Sequence, residues 1–85
     1  MKQLAPAITL RKNNSEEVRV GLIEVERHAR VDVRIFAARC GGKGDRCPTG
    51  QGVSLKADRI PELRAAIIRI EAEARRLGLL QVEGA

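Results

Sequence analysis

The side chains with chemical potential are few and cluster in one stretch. Cys40 and Cys47, the chain's two cysteines, bracket a glycine-rich run that continues through Pro48, Thr49 and Gly50. Two thiols at this spacing can ligate a metal or close a hairpin disulfide. A four-ligand zinc site needs further ligands, and the chain holds one histidine, so such a site would have to be shared between two chains. The opening stretch MKQLAPAITLRKN lacks the long apolar run of an export signal, so free thiols are expected, with a hairpin disulfide as the alternative. No metal and no cofactor is expected. Gly41-Gly42-Lys43-Gly44 superficially resembles a phosphate loop. A Walker loop, however, ends in Gly-Lys-Ser/Thr and opens a helix, whereas Asp45 follows Gly44 here and strands flank the loop. The amides of this loop and its cations Arg39, Lys43 and Arg46 could still hold nucleic-acid phosphates. His28 stands between Arg27 and Arg30 with no Ser or Cys beside it as a nucleophile, and reads as a surface turn residue. The carboxylates Glu16, Glu17, Glu24, Glu26, Glu71 and Glu73 fall on solvated faces and form no acid–base pair. The chain is not expected to be an enzyme.

The charge is better organised. The chain carries a net charge of +5, with 16 basic against 11 acidic side chains. Residues 1–30 hold 6 basic and 4 acidic groups, residues 31–56 hold 5 and 2, and residues 57–85 hold 5 and 5. The whole excess lies in the first two thirds. A basic part beside a neutral part suggests a polyanion-binding surface on the first and a structural role for the second. Phe36 is the single aromatic residue, which argues against a ring-rich stacking surface of the kind many single-strand binders use. At 85 residues the chain is one small domain, 44% apolar, with no run near the roughly 18 residues of a membrane helix.

The elements that must position these residues follow from periodicity. Residues 1–15 read as a flexible arm, in which Ile8 and Leu10 alternate with polar residues as in a short edge strand or an extended tail, and Lys12 to Ser15 form a turn cluster. Glu16 to Arg27 is a strand. Val18, Val20 and Leu22 share a face, and the parity change to Ile23 and Val25 suggests a bulge or bend at Gly21. A tight turn at Arg27-His28 follows. Ala29 to Ala37 is the clearest strand. Ala29, Val31, Val33, Ile35 and Ala37 lie on one face, with Arg30, Asp32, Arg34 and Phe36 on the other. Phe36 is therefore either part of a second core or a stacking platform flanked by cations. Gly52 to Leu55 is a short strand. Ile60, Leu63, Ile67, Ile70, Ala74 and Leu77 then recur at spacings of 3 and 4, the stripe of a helix. Asp58 is its expected cap, Pro61 sits in its first turn and Gly78 stops it. The order is α+β: an antiparallel meander, then one long helix. A stripe this narrow and sustained is the seam of a helix pair, so a homodimer is expected.

One set of residues goes beyond composition. Val31-Asp32-Val33-Arg34, then Pro48-Thr49-Gly50-Gln51-Gly52-Val53-Ser54-Leu55, then an amphipathic helix, resembles the C-terminal domain of the transcriptional coactivator positive cofactor four family. The likeness covers residues 16–77, within a domain spanning 16–78, and leaves 79–85 as a tail. It implies a curved four-stranded antiparallel sheet, one long C-terminal helix and a dimer joined through helices and sheet edges. It also implies binding of single-stranded DNA across the β-surfaces. Arg34 matches the family's motif arginine. His28 falls where a basic residue is common, Gln51 stands where lysine is usual before the GVSL-type segment, and Ala37 where an aromatic is common. Arg39, Lys43 and Arg46 compensate electrostatically. The resulting expectation is a dimeric single-stranded DNA-binding module, with RNA as a further ligand, acting in transcription, replication or repair alongside the transcription machinery. It would act in the cytoplasm or nucleoid of a bacterial cell or the nucleus of a eukaryotic one. Its contacts would be Arg27, His28, Arg30, Arg34, Phe36, Arg39, Lys43, Arg46 and Gln51. The alternative is a protein-interaction module of the same fold with weak or no affinity for nucleic acid.

Overall fold

The computed structural model describes residues 2–38 and 46–80. Five strands form one antiparallel sheet: β1 (Lys2–Gln3), β2 (Ile8–Arg11), β3 (Glu16–Val25), β4 (His28–Ala37) and β5 (Cys47–Lys56). β3 lies beside β4, and β4 beside β5. β1 and β2 pair in succession along the outer edge of β3. A single 3₁₀ turn, Ala57–Arg59, leads into the helix α1 (Ile60–Arg76). The α+β order and the C-terminal helix agree with the sequence reading. The sheet has five strands rather than four, because Lys2–Gln3 and Ile8–Arg11 pair with β3 instead of forming a free arm.

The register explains the second departure. β3 pairs with β4 without interruption from Glu16↔Ala37 to Val25↔His28, so Gly21 carries no bulge. The parity change is real but marks a change of environment: beyond Gly21 both faces of β3 are apolar, Leu22 toward one side and Ile23 and Val25 toward the other. The irregularity lies in β5. Arg34 pairs with Gly52, yet Phe36 pairs with Pro48, which places two extra residues on β5. There the strands approach so closely that a Cβ on Gly52 would lie 2.5 Å from the Val33 carbonyl oxygen. The β3–β4 connection is a two-residue turn at Glu26 and Arg27, both at positive φ (51° and 68°), the geometry that matches strand twist. His28 thus opens β4 instead of completing the turn.

The alternation sorts the sheet into two faces. One carries Ile8, Leu10, Val18, Val20, Leu22, Val31, Val33, Ile35, Val53 and Leu55. Among the described residues only Val31 and Ala37 are buried, and neither completely, so this apolar face is largely uncovered within one chain. The helix does not cover it. Its 3₁₀ lead-in packs on β4, but α1 makes no extended contact with the strands. Asp58 lies in the 3₁₀ turn and does not cap; Arg59 occupies the N-cap position without a side-chain capping hydrogen bond. The C-terminus is closed as expected. Gly78 adopts φ +73°, its N–H donates to the Arg75 carbonyl, and that of Leu79 donates to Ala74, a Schellman arrangement.

Cys47 is disulfide-bonded, which corrects the free-thiol expectation. Its register partner Ala37 closes the base of the hairpin, so the chain leaving β4 returns beside its starting point. Cys40 lies outside the described residues.

Candidate nucleic-acid interface

The opposite face of the sheet gathers the polar residues. β3 presents Glu17, Arg19, Gly21, Ile23 and Val25. β4 presents His28, Arg30, Asp32, Arg34 and Phe36, and β5 adds Pro48, Ser54 and Lys56. With Gln3 and Ala7 from the N-terminal segment, most of these line an open groove of about 800 Å³. Two cross-strand pairs on this face are cation opposite cation: Arg19↔Arg34 and Arg30↔Lys56. Like charges directly opposite destabilise a sheet; Glu17 and Asp32 offset the first pair, and the second has no carboxylate beside it among the described residues.

Local bonds hold the arginines in fixed places. Arg34 donates Nη2 to Asp32 Oδ1 at 2.8 Å, Nε to Oδ2 at 3.1 Å, and Nη1 to the Thr49 carbonyl at 3.2 Å. The hydrogen bond to Asp32, reinforced by its charge, raises the Arg34 pKa above the ordinary guanidinium value and outweighs the opposing desolvation. Thr49 is itself tied to β4, its hydroxyl donating to the Ile35 carbonyl at 2.9 Å. Arg30 donates to Ser54, to Oγ at 2.8 Å and to the carbonyl at 3.0 Å, and among the described residues it has no carboxylate partner. Arg19 donates Nε to Glu17 and lies over the Phe36 ring, 4.2 Å from its centroid. The acid–x–arginine spacing occurs on both strands: Glu17 and Arg19 on β3, Asp32 and Arg34 on β4. A period-two strand puts each acid beside its arginine on one face.

Of the contacts expected from sequence, Arg30, Arg34 and Phe36 line this groove together. Arg27 sits in the turn at the hairpin tip, and His28 is exposed at the start of β4. Arg46 points elsewhere. Its Nε lies 3.5 Å from Glu17 and its Nη2 donates to the Asn14 carbonyl at 3.2 Å, beside a small separate hollow lined by Arg11 and Asn13. Gln51 is exposed on the irregular part of β5, its N–H donating to Thr49 Oγ1. Arg39 and Lys43 lie outside the described residues. Arg19 and Lys56 were missed. Their parity was legible, but their place beside Phe36 and Arg30 depends on strand register. On α1, Ile67, Ile70 and Leu77 are 60%, 67% and 58% exposed. Ile60 is marginally exposed, and Leu63 and Ala74 are half-buried. Among the described residues no group of three or more His, Cys, Asp or Glu side chains gathers as a metal site.

No protein-family model and no curated protein matches the chain, but solved structures do. A PC4 homologue from Burkholderia pseudomallei aligns with a TM-score of 0.69 at 21% identity, covering 78% of this chain and 96% of its own. The bacteriophage T5 homologue of the eukaryotic transcription coactivator PC4, implicated in recombination-dependent DNA replication, aligns at 0.70 and 21%, covering 86% and 83%. MoSub1 in its complex with DNA aligns at 0.63 and 20%, covering 96% and 99%. PC4 is positive cofactor four, the family suggested by the VDVR and GVSL segments. In each case the likeness spans most of both chains, and the chain has the PC4 fold.

Proposed function

We propose that the chain binds single-stranded DNA along the groove of its polar face and acts in transcription or DNA replication. The observation that carries this reading is the cross-strand pairing of Arg30 with Lys56, two cations side by side with no carboxylate partner among the described residues. A sheet that aligns like charges is relieved when a polyanion lies between them, and a phosphate backbone has the required charge spacing. The fold is shared with MoSub1, which was solved with single-stranded DNA. Arg30 and Lys56 lack carboxylate partners among the described residues and are the primary phosphate contacts. Arg34 is fixed by Asp32 and Thr49, so it offers its remaining edge without reorganisation. Arg27 and His28 extend the positive track to the hairpin tip, and Gln51, Arg39 and Lys43 are its further expected contacts; Arg46, engaged with Glu17 and the Asn14 carbonyl, contributes only weakly. Contacts with transcription proteins, and work in the nucleoid or nucleus, follow from the same reading.

The binding unit is a homodimer. An apolar sheet face and an apolar helix stripe are both exposed in one chain, and with Val31 and Ala37 the only buried hydrophobic residues among those described, one chain has little core of its own. A second copy covers both surfaces through Ile60, Leu63, Ile67, Ile70, Ala74 and Leu77. The test is fluorescence anisotropy with labelled single-stranded DNA, duplex DNA and RNA at two salt concentrations, alongside analytical ultracentrifugation. Tight single-strand binding that falls steeply with log salt supports the proposal. Absence of single-strand binding at low salt hands the fold to the alternative, a protein-interaction module using the exposed helix. A folded monomer at micromolar concentration refutes the dimer.

A further inference from the structure

Within the groove, the chain's one aromatic ring carries a cation on one face. The guanidinium carbon of Arg19 stands over Phe36, 4.2 Å from the ring centroid, so arginine supplies part of the surface a ligand meets there. The register produces this. Glu17 lies directly opposite Phe36, and Arg19, two residues along on the same face, reaches the ring diagonally. Two restraints then hold the guanidinium. Its Nε donates to Glu17, and the π-face beneath attracts the cation. Glu17 also faces Arg46 at 3.5 Å, which limits its freedom to follow Arg19 away. Arg19 nevertheless keeps about one third of its side chain exposed (35%), and both Arg19 and Phe36 line the groove.

We infer that Arg19 is the platform on which an unpaired base of the bound strand stacks, with Phe36 behind it as the ring that holds the guanidinium flat and in place. This rests on the single-stranded DNA reading of the groove. A guanidinium is planar and weakly hydrated, so it can carry a base on one surface and an aromatic ring on the other, which an ammonium cannot. The arrangement supplies with one ring a stacking surface that otherwise needs several, and places a positive charge at the base instead of at the phosphate.

The experiment compares the parent with Arg19→Lys, Arg19→Ala, Phe36→Ala and the Arg19→Ala/Phe36→Ala double variant. Each is checked for folding by thermal denaturation and titrated by anisotropy with an oligothymidylate and with an abasic strand of equal length. Lysine keeps the charge and removes the plane. Arg19→Lys is therefore expected to lose roughly tenfold in affinity for the oligothymidylate, in the range of one stacked base, with an unchanged salt slope. It should also discriminate less than the parent between the two strands. The double variant should bind no more weakly than Arg19→Ala, since the ring acts through the arginine. In the free protein, the Arg19 Nε–H NMR resonance should move on Phe36→Ala as the ring current is lost. Arg19→Lys binding like the parent would show charge alone at work and overturn the inference. It is equally overturned if Arg19→Ala binds unchanged or tighter while Phe36→Ala loses affinity, because the base then sits on the ring itself. A parent that binds neither strand at low salt refutes the nucleic-acid reading instead, and the inference with it.

Discussion

Substituting Gly52 by alanine tests the geometry that shapes the groove. The added Cβ would sit 2.5 Å from the Val33 carbonyl oxygen, 2.9 Å from the Arg34 Cα and 3.2 Å from its Cβ. All three neighbours are backbone or backbone-anchored, so no flexible side-chain end can yield. Ordinary contact at the carbonyl needs nearly 1 Å more, and β5 can supply it only by leaving β4 where the ladder resumes after its two extra residues. Overpacking against a rigid neighbour typically costs 1–3 kcal/mol, and backbone contact puts this site at the upper end, about 3 kcal/mol. For a chain of this size that lowers Tm by roughly 10–20 °C. Gly50, two residues away, has nothing within 4 Å of its hypothetical Cβ, so Gly50→Ala is the control and should leave Tm within about 2 °C of the parent. Both variants are melted by circular dichroism at one fixed protein concentration, because the Tm of the proposed dimer depends on it. Equal Tm values for the two variants and the parent would refute the close-approach argument and the β5 register with it.

Further outcomes follow from the same geometry. Ile67→Glu or Ile70→Glu places a charge on the exposed stripe of α1; sedimentation should show dissociation, with loss of thermal stability, if that stripe is the dimer seam. Lys56→Ala, at an exposed β5 position without an ion-pair partner among the described residues, should leave the fold intact and reduce the log–log salt slope of single-strand binding by about 0.7. Arg46→Ala should destabilise the fold more than it weakens binding, measured by melting and anisotropy together, because Arg46 is engaged with Glu17 and the Asn14 carbonyl. The Glu73 carboxyl is held below the ordinary glutamate value of 4.5 by its hydrogen bond from Arg76, which outweighs desolvation. A lowered carboxyl pKa contributes stability above 4.5 that is lost as pH falls through the lowered value. Glu73→Gln should remove that part of the acid dependence of helical ellipticity.

Much of this molecule is legible without coordinates. The alternation from Ala29 to Ala37 determines which side chains of β4 share a face, because a strand's period of two leaves no choice once the strand exists. The 3–4 spacing from Ile60 to Leu77 determines the helix and its stripe, and Gly78 its end, since few residues other than glycine enter the left-handed region at low cost. The VDVR and GVSL segments pointed to the fold. Tertiary structure decided what lies across the ladder. Whether Arg19 meets Phe36, and Lys56 meets Arg30, depends on the register between strands, which local periodicity does not carry. The disulfide at Cys47 was open for the same reason: spacing in sequence leaves undecided whether two ends of a loop return to one place, and the Ala37↔Cys47 pairing does that. The N-terminal strands were ambiguous because their residues, all exposed, gain order from hydrogen bonds to the edge of β3 instead of from a buried face. The parity change after Gly21 looked like a bulge because a sequence pattern records burial, and at that end of β3 both faces of the sheet are apolar.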